Sequence, residues 1–191
     1  MNKAAFLDRD GTINSDSGYL YKNTDFIFLA GAREGLRLLQ DMGYLLIIVT
    51  NQSGIARGYY SEEEYLMLDK WLKDTLLTEG IRICDSYYCP HHPEAEVLKY
   101  RQSCDCRKPG TGLFTRAAAE HGIDMDLSVF IGDRERDVSY CRKPEGRGQG
   151  YVIYSDTERS NGNIRYIRGG LLEAAEIIRD KSEYRLDRKN S

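Results

Sequence analysis

Apolar residues along this chain fall into two periods. Lys3–Leu7 and Tyr44–Val49 (YLLIIV) contain continuous apolar runs, the pattern of strands buried on both faces. Between them, Leu36, Leu39 and Met42 recur at helical spacing and the pattern stops at Gly43, so a helix is predicted over Ala32–Met42 with a glycine exit. Strand, helix and strand make one βαβ unit. A second helix opens at Ser61, where SEEE has the form of a capping box with Glu64 in its third position. It carries Tyr65, Leu68, Leu72 and Leu76 as its apolar stripe and ends at Gly80. Further strands are predicted at Asp85–Tyr88, Ser128–Ile131 and Tyr151–Tyr154. Helices are predicted from about Thr111 to His121, with Gly122 as stop, and at Leu171–Arg179, and the stretch up to about Pro109 reads as irregular. Alternating strands and helices define an α/β chain with a Rossmann-like parallel sheet covered by helices on both faces. At 191 residues a single domain is expected, over 1–182, followed by a charged tail at 183–191 that frays.

Charge narrows the partners. The formal net charge is -3 with acids and bases interspersed, so there is no basic field of the kind nucleic acid requires. No stretch reaches the ~20 apolar residues of a membrane span, and the N-terminus lacks the apolar core of a signal peptide. A cytoplasmic monomer acting on a small molecule is expected. Of five cysteines, three fall within 89–106, which suits a metal site in a reducing compartment better than a disulfide framework.

The chemistry gathers at strand ends. In open α/β sheets ligands bind outside the carboxyl ends of the strands. The first strand ends in Asp8-Arg9-Asp10-Gly11-Thr12, the second in Thr50-Asn51-Gln52-Ser53-Gly54, and the strand before Gly132 in Asp133-Arg134-Glu135-Arg136-Asp137. Asp8 and Asp10, two residues apart, point the same way. Carboxylates brought together repel unless a hard cation lies between them, and Mg²⁺ suits a few carboxylate oxygens plus water and substrate phosphate. Asp8, Asp133 and a backbone carbonyl near Asp10 would form that site. Asp8 would then attack phosphorus to give an aspartyl phosphate. Asp10 would protonate the leaving oxygen and later draw a proton from water. Thr50, the amides after it from Asn51 on, and Lys108 would hold the non-bridging oxygens.

DRDGT, TNQSG, the lysine of CRKP and GDRERD together resemble the four motifs of the haloacid dehalogenase (HAD) superfamily of phosphatases. The longer strings TNQSGIARG, YYCPHHP and CDCRKP are similar to its heptose-bisphosphate phosphatase branch and, more distantly, to the histidinol-phosphate phosphatase domain. The resemblance implies Asp8 as nucleophile, Asp10 as acid/base, Thr50 and Lys108 as phosphate ligands, Mg²⁺ on Asp8, Asp10 (main chain) and Asp133, and Asp137 in support. It also implies a phosphorylated sugar as substrate, with the C7 phosphate of D-glycero-D-manno-heptose 1,7-bisphosphate favoured. Histidinol phosphate or another small sugar phosphate, and a non-hydrolysing phosphoryl-binding or zinc scaffold protein, are the alternatives.

Cys89-Pro-His91-His92-Pro and Cys104-Asp-Cys106 supply three thiolates and an imidazole for a closed tetrahedral Zn²⁺ site. By spacing His92 rivals His91; the resemblance implies Cys89, His91, Cys104 and Cys106. Such a zinc loop would deliver Arg107 and Lys108 to the phosphate. The chain is too short for a separate cap domain, so a capless cleft is expected, with the loop Asn14–Thr24, the segment Ile55–Tyr60 and the zinc loop selecting the substrate. Arg57 and Arg107 would bind a second phosphate by forked hydrogen bonds. His121 reads as a helix-terminus cation, Cys84, Cys141 and Trp71 as packing residues, and Glu62–Glu64 as acids at a helix N-terminus. The stretch VSYCRKPEGRGQGYVIY departs from the family pattern: Pro144 cuts the helix short, and the basic glycine-rich loop reads as a connector or as a phosphate cradle.

Overall fold

The computed structural model describes residues 1–143, 146 and 148–187, with side chains described through 182. Pro144, Glu145 and Arg147 of the glycine-rich loop, and tail residues 188–191, lie outside the described residues. In chain order the elements are β1 (Lys3–Leu7), α1 (Ala32–Asp41), β2 (Tyr44–Asn51), α2 (Ser53–Ala56), α3 (Glu62–Thr78), β3 (Ile83–Cys89), α4 (Gly112–His121), β4 (Val129–Gly132), β5 (Gln149–Val152), β6 (Arg159–Asn161), β7 (Ile164–Tyr166) and α5 (Leu171–Asp187). They build one seven-stranded sheet in the order β3-β2-β1-β4-β5-β7-β6. Every pairing is parallel except the β6–β7 hairpin at one edge.

Alternation along the strands sorts the apolar residues onto two faces. Ala5 and Leu7 of β1, with Leu46 and Ile48 of β2, face α1, α3 and α5 through Leu36, Leu39, Leu68, Leu72 and Leu171. Ala4 and Phe6, with Ile47, Val49 and Phe130, face α4 through Leu113, Phe114 and Ala117. Phe6, Phe114 and Phe130 meet ring to ring at 4.9–5.5 Å. Each buried ring contributes about 2 kcal/mol from removal of apolar surface. With both faces covered, the central strands are apolar throughout, as their sequence implies.

The helix signals act locally as expected. Ser61 Oγ accepts from the Glu64 amide at 3.1 Å and Glu64 Oε2 accepts from the Ser61 amide at 2.7 Å, which closes the capping box of α3. Gly122 ends α4 at φ 59, a left-handed position. Several details differ from the sequence reading, among them the short α2 and a β3 that runs from Ile83 to Cys89. The fifth strand begins two residues early, at Gln149, because Gln149–Val152 pair with Val129–Gly132. After Asp133 the chain makes a 3₁₀ helix over Glu135–Arg142. The short β6–β7 hairpin lacks an apolar period long enough to read, and α5 runs on to Asp187. Trp71 packs edge-on to Phe26 at 5.3 Å, Cys141 is buried, and His121 lies 3.2 Å from Asp85. Among the described residues no helix is long and apolar enough to cross a membrane.

Candidate active site

The ends of β1, β2 and β4 are neighbours because β1 lies between the other two. Their loops line a cavity of about 310 Å³ that includes Asp8, Asp10, Thr50, Asn51, Lys108 and Arg136. Lys108 arrives from the loop after β3, and its ammonium sits 2.9 Å from Asp8 Oδ1, 2.7 Å from Asp137 Oδ1 and 2.6 Å from the Val49 carbonyl oxygen. Two hydrogen bonds, to Asp8 and Val49, and an ion pair with Asp137 hold it in a spot closed to solvent. Burial works against the charge, yet Asp8 and Asp137 outweigh it and hold the lysine pKa above its ordinary value. Burial likewise pushes the Asp8 carboxyl up to about 7, against the pull of Lys108 and with further help from Asp137 and Asp10.

Asp133 completes the acidic group. One oxygen each from Asp8, Asp133 and Asp137 lie within 4.8 Å of one another, close enough to share a cation. Oδ1 of Asp133 is buried without a hydrogen-bond partner, and burial, then the charge of Asp137, raises its pKa. An orphaned carboxylate oxygen facing two other acids fits Mg²⁺ well. Gly11 makes room for this approach: its φ is +81, and a Cβ there would come within 2.7 Å of the Asp133 carboxyl group.

Asp10 is held quite differently. Arg9 grips its carboxylate with Nε at 3.1 Å and Nη2 at 2.9–3.0 Å, Asn14 Nδ2 donates to Oδ1 at 3.0 Å, and Gln52 Nε2 donates to Oδ2 at 3.1 Å. Thr50 is buried and its hydroxyl accepts from Gln52 at 2.9 Å. The Asn51 side chain exchanges two 3.0 Å hydrogen bonds with the backbone of Lys108, so it anchors the lysine while lining the cavity. Arg9, Asn14, Gln52 and Arg136 escaped the sequence reading. An arginine between two acids in an otherwise apolar strand end was the available signal for the first.

Arg57 and Arg107 stand beside the cavity rather than in its lining. Arg57 Nε is buried without a partner, and Arg107 donates to the His91 carbonyl at 3.3 Å. Burial lowers the Arg107 pKa and the nearby charges of Arg136 and Arg57 lower it further, so these cations lie close together with unused hydrogen-bonding capacity.

At the end of β3, Cys89, His91, Cys104 and Cys106 place one ligand atom each within 4.8 Å of the others. His91 Nδ1 is 3.3 Å from Cys106 Sγ, whereas His92 Nδ1 accepts from the Glu94 amide at 3.1 Å. The structure thus separates the two histidines in favour of His91. Burial pushes the Cys89 thiol up to about 11. Burial also opposes ionisation of Cys104, but hydrogen bonds from Cys106 and Cys89 outweigh it and lower that pKa. Three cysteine sulfurs and an imidazole nitrogen, without a disulfide among them, suit zinc.

A parallel sheet with two acids after its first strand, a buried lysine bridging acids and a third acid after β4 define a HAD-like phosphatase. The family model described as polynucleotide kinase 3 phosphatase matches residues 3–146. D-glycero-beta-D-manno-heptose-1,7-bisphosphate 7-phosphatase of Haemophilus influenzae is 47% identical over 138 residues, 72% of this chain and 74% of the relative. The D-glycero-alpha-D-manno-heptose-1,7-bisphosphate 7-phosphatase of Photorhabdus laumondii is 43% identical over 136 residues, 71% of this chain and 74% of the relative. The D,D-heptose 1,7-bisphosphate phosphatase from B. bronchiseptica, solved with magnesium and phosphate, shares the fold at TM-score 0.77 and 23% identity, over 95% of this chain and 99% of that one. The chain belongs to the heptose-bisphosphate phosphatase family within the HAD-like phosphatases.

Proposed function

We propose that this chain hydrolyses the C7 phosphate of a D-glycero-D-manno-heptose 1,7-bisphosphate in the cytoplasm by way of an aspartyl phosphate. The carrying observation is the Lys108 ammonium between Asp8 and Asp137 in a cavity that Asp10 also lines. Oδ of Asp8 attacks phosphorus, and the bond from phosphorus to the sugar oxygen breaks. The leaving oxygen takes a proton from Asp10, which then accepts one from the water that cleaves the acyl phosphate. Thr50 and Lys108 hold the non-bridging oxygens. Asp8, the Asp10 carbonyl and Asp133 would hold Mg²⁺, with Asp137 supporting Lys108, and the bound ion would offset charge on the phosphoryl group. Arg57, Arg107 and Arg136 supply the cationic wall for the second phosphate. Cys89, His91, Cys104 and Cys106 would hold Zn²⁺ as a structural clip, and the free thiols of all five cysteines accord with a reducing compartment.

Phosphate release is measured with Mg²⁺ over heptose 1,7-bisphosphates of both anomers, histidinol phosphate, fructose 1,6-bisphosphate and p-nitrophenyl phosphate. A strong preference for one heptose bisphosphate is expected, and preference for histidinol phosphate would replace the substrate assignment. Asp8→Asn should lower kcat by about 10⁴-fold or more while its unfolding midpoint stays near that of the parent, because a neutral side chain of the same shape still leaves Lys108 paired with Asp137. Substantial turnover in that variant would rule out Asp8 as nucleophile.

A further inference from the structure

The hydrogen bonds around Asp10 reach further than the cavity. Arg9 is fully buried, and besides clasping both oxygens of Asp10 it donates from Nη2 to the Leu20 carbonyl at 3.2 Å. Its guanidinium lies over the Tyr65 ring at 5.6 Å, so its plane is fixed from behind. Asn14, the second donor, belongs to the same loop as Leu20. Gln52, the third, is held in turn by the Tyr60 hydroxyl, which donates to Gln52 Oε1 at 2.6 Å. The loops carrying these donors are joined by ring pairs: Tyr21 stacks on Tyr60 at 5.4 Å and Tyr19 meets Tyr59 at 4.3 Å. A buried arginine costs desolvation that only a structural or positioning duty offsets. Here its donors fix the plane of one carboxyl group, which keeps 20% of its surface open to the cavity.

We infer that Arg9 is a positioning residue for Asp10: it aims that carboxyl at the leaving-group oxygen and ties its aim to the loop that carries Leu20. This rests on the reading of Asp10 as acid/base. In the first step the bond from Asp8 oxygen to phosphorus forms as the bond from phosphorus to the leaving oxygen breaks. That oxygen keeps the electron pair and takes the Asp10 proton. An alkoxide leaves poorly without the proton, whereas a nitrophenolate leaves without help. Misaiming Asp10 therefore harms one substrate class and spares the other, which a general loss of structure would not do.

The test compares kcat/KM, which reports the steps up to transfer onto Asp8, for glycerol phosphate and p-nitrophenyl phosphate with Mg²⁺ present. In Arg9→Met the value for glycerol phosphate should fall at least about 10-fold more than that for p-nitrophenyl phosphate, within the range a positioned acid supplies. Tyr60→Phe, which releases Gln52, should shift the same ratio in the same direction by a smaller factor, and it decides the matter if Arg9→Met does not fold. Equal losses on both substrates overturn the inference while leaving the phosphatase reading intact. A parent protein that releases phosphate from no substrate overturns both.

Discussion

Lys108 carries a charge into a place that water does not reach, and the two carboxylates and one carbonyl around it make that possible. Removing it is therefore worse than removing one of its acids. Lys108→Met leaves Asp8 and Asp137 buried with only the half-exposed Arg136, 4.0 Å from Asp137 Oδ1, as a nearby cation, and breaking a buried pair in this way costs about 3 kcal/mol or more. Urea unfolding should show that loss in Lys108→Met and little change in Asp8→Asn, and equal midpoints would refute the contrast. At this scale Asp8, Asp10 and Asp133 were legible because acids at the ends of apolar strands have few structural uses, and Lys108 because CRKP resembles a family motif. The clasp on Asp10 was not: Asn14 and Gln52 are ordinary loop amides whose donors find one carboxylate only after the chain has folded.

Helix α3 shows how one element braces the site. Beyond its capping box, Glu62 in the first turn accepts from the Tyr88 hydroxyl of β3 at 2.6 Å and from the Tyr100 hydroxyl at 2.8 Å. The Tyr88 hydrogen bond leads in holding the Glu62 carboxyl below its ordinary pKa of 4.5, with Tyr100 and Lys99 adding to it. A carboxyl lowered on folding stabilises the folded state above its unfolded pKa, and this contribution disappears as pH falls through the lower folded value. Glu62→Gln should accordingly be destabilising at pH 7 and much less so near pH 3, as read from urea midpoints of both proteins across that range. A deficit that does not shrink with acid would exclude the carboxylate as its source. The capping signal of α3 was plain in SEEE, whereas Glu62 read only as a helix-end acid, since its tyrosine partners lie 26 and 38 residues on. A different reason hid the β6–β7 hairpin, whose three-residue strands carry too short a pattern to register.

For the molecule as a whole, β3 lies at one edge of the sheet and its last residue, Cys89, enters the four-donor cluster, with Arg107 and Lys108 directly after Cys106. With zinc as the clip, metal analysis should find about one zinc per chain. Stripping it with a strong chelator at constant Mg²⁺ should abolish turnover while the far-ultraviolet circular dichroism of the sheet and helices persists. Readdition of zinc should restore the rate, and undiminished turnover in zinc-free protein would remove the clip from the account. The central strands were readable because both faces are apolar, and their polar carboxyl ends already pointed to one crevice; the strand order needed the fold. The sheet has a further consequence. The matched family region ends at 146 and Asp137 is the last acid in the cavity group, while β5, β7 and β6 extend the sheet away from β1 and α5 packs back beside α1. Every acid of the cavity group therefore precedes residue 138, and a change confined to the β6–β7 hairpin should alter the unfolding midpoint while leaving kcat near that of the parent.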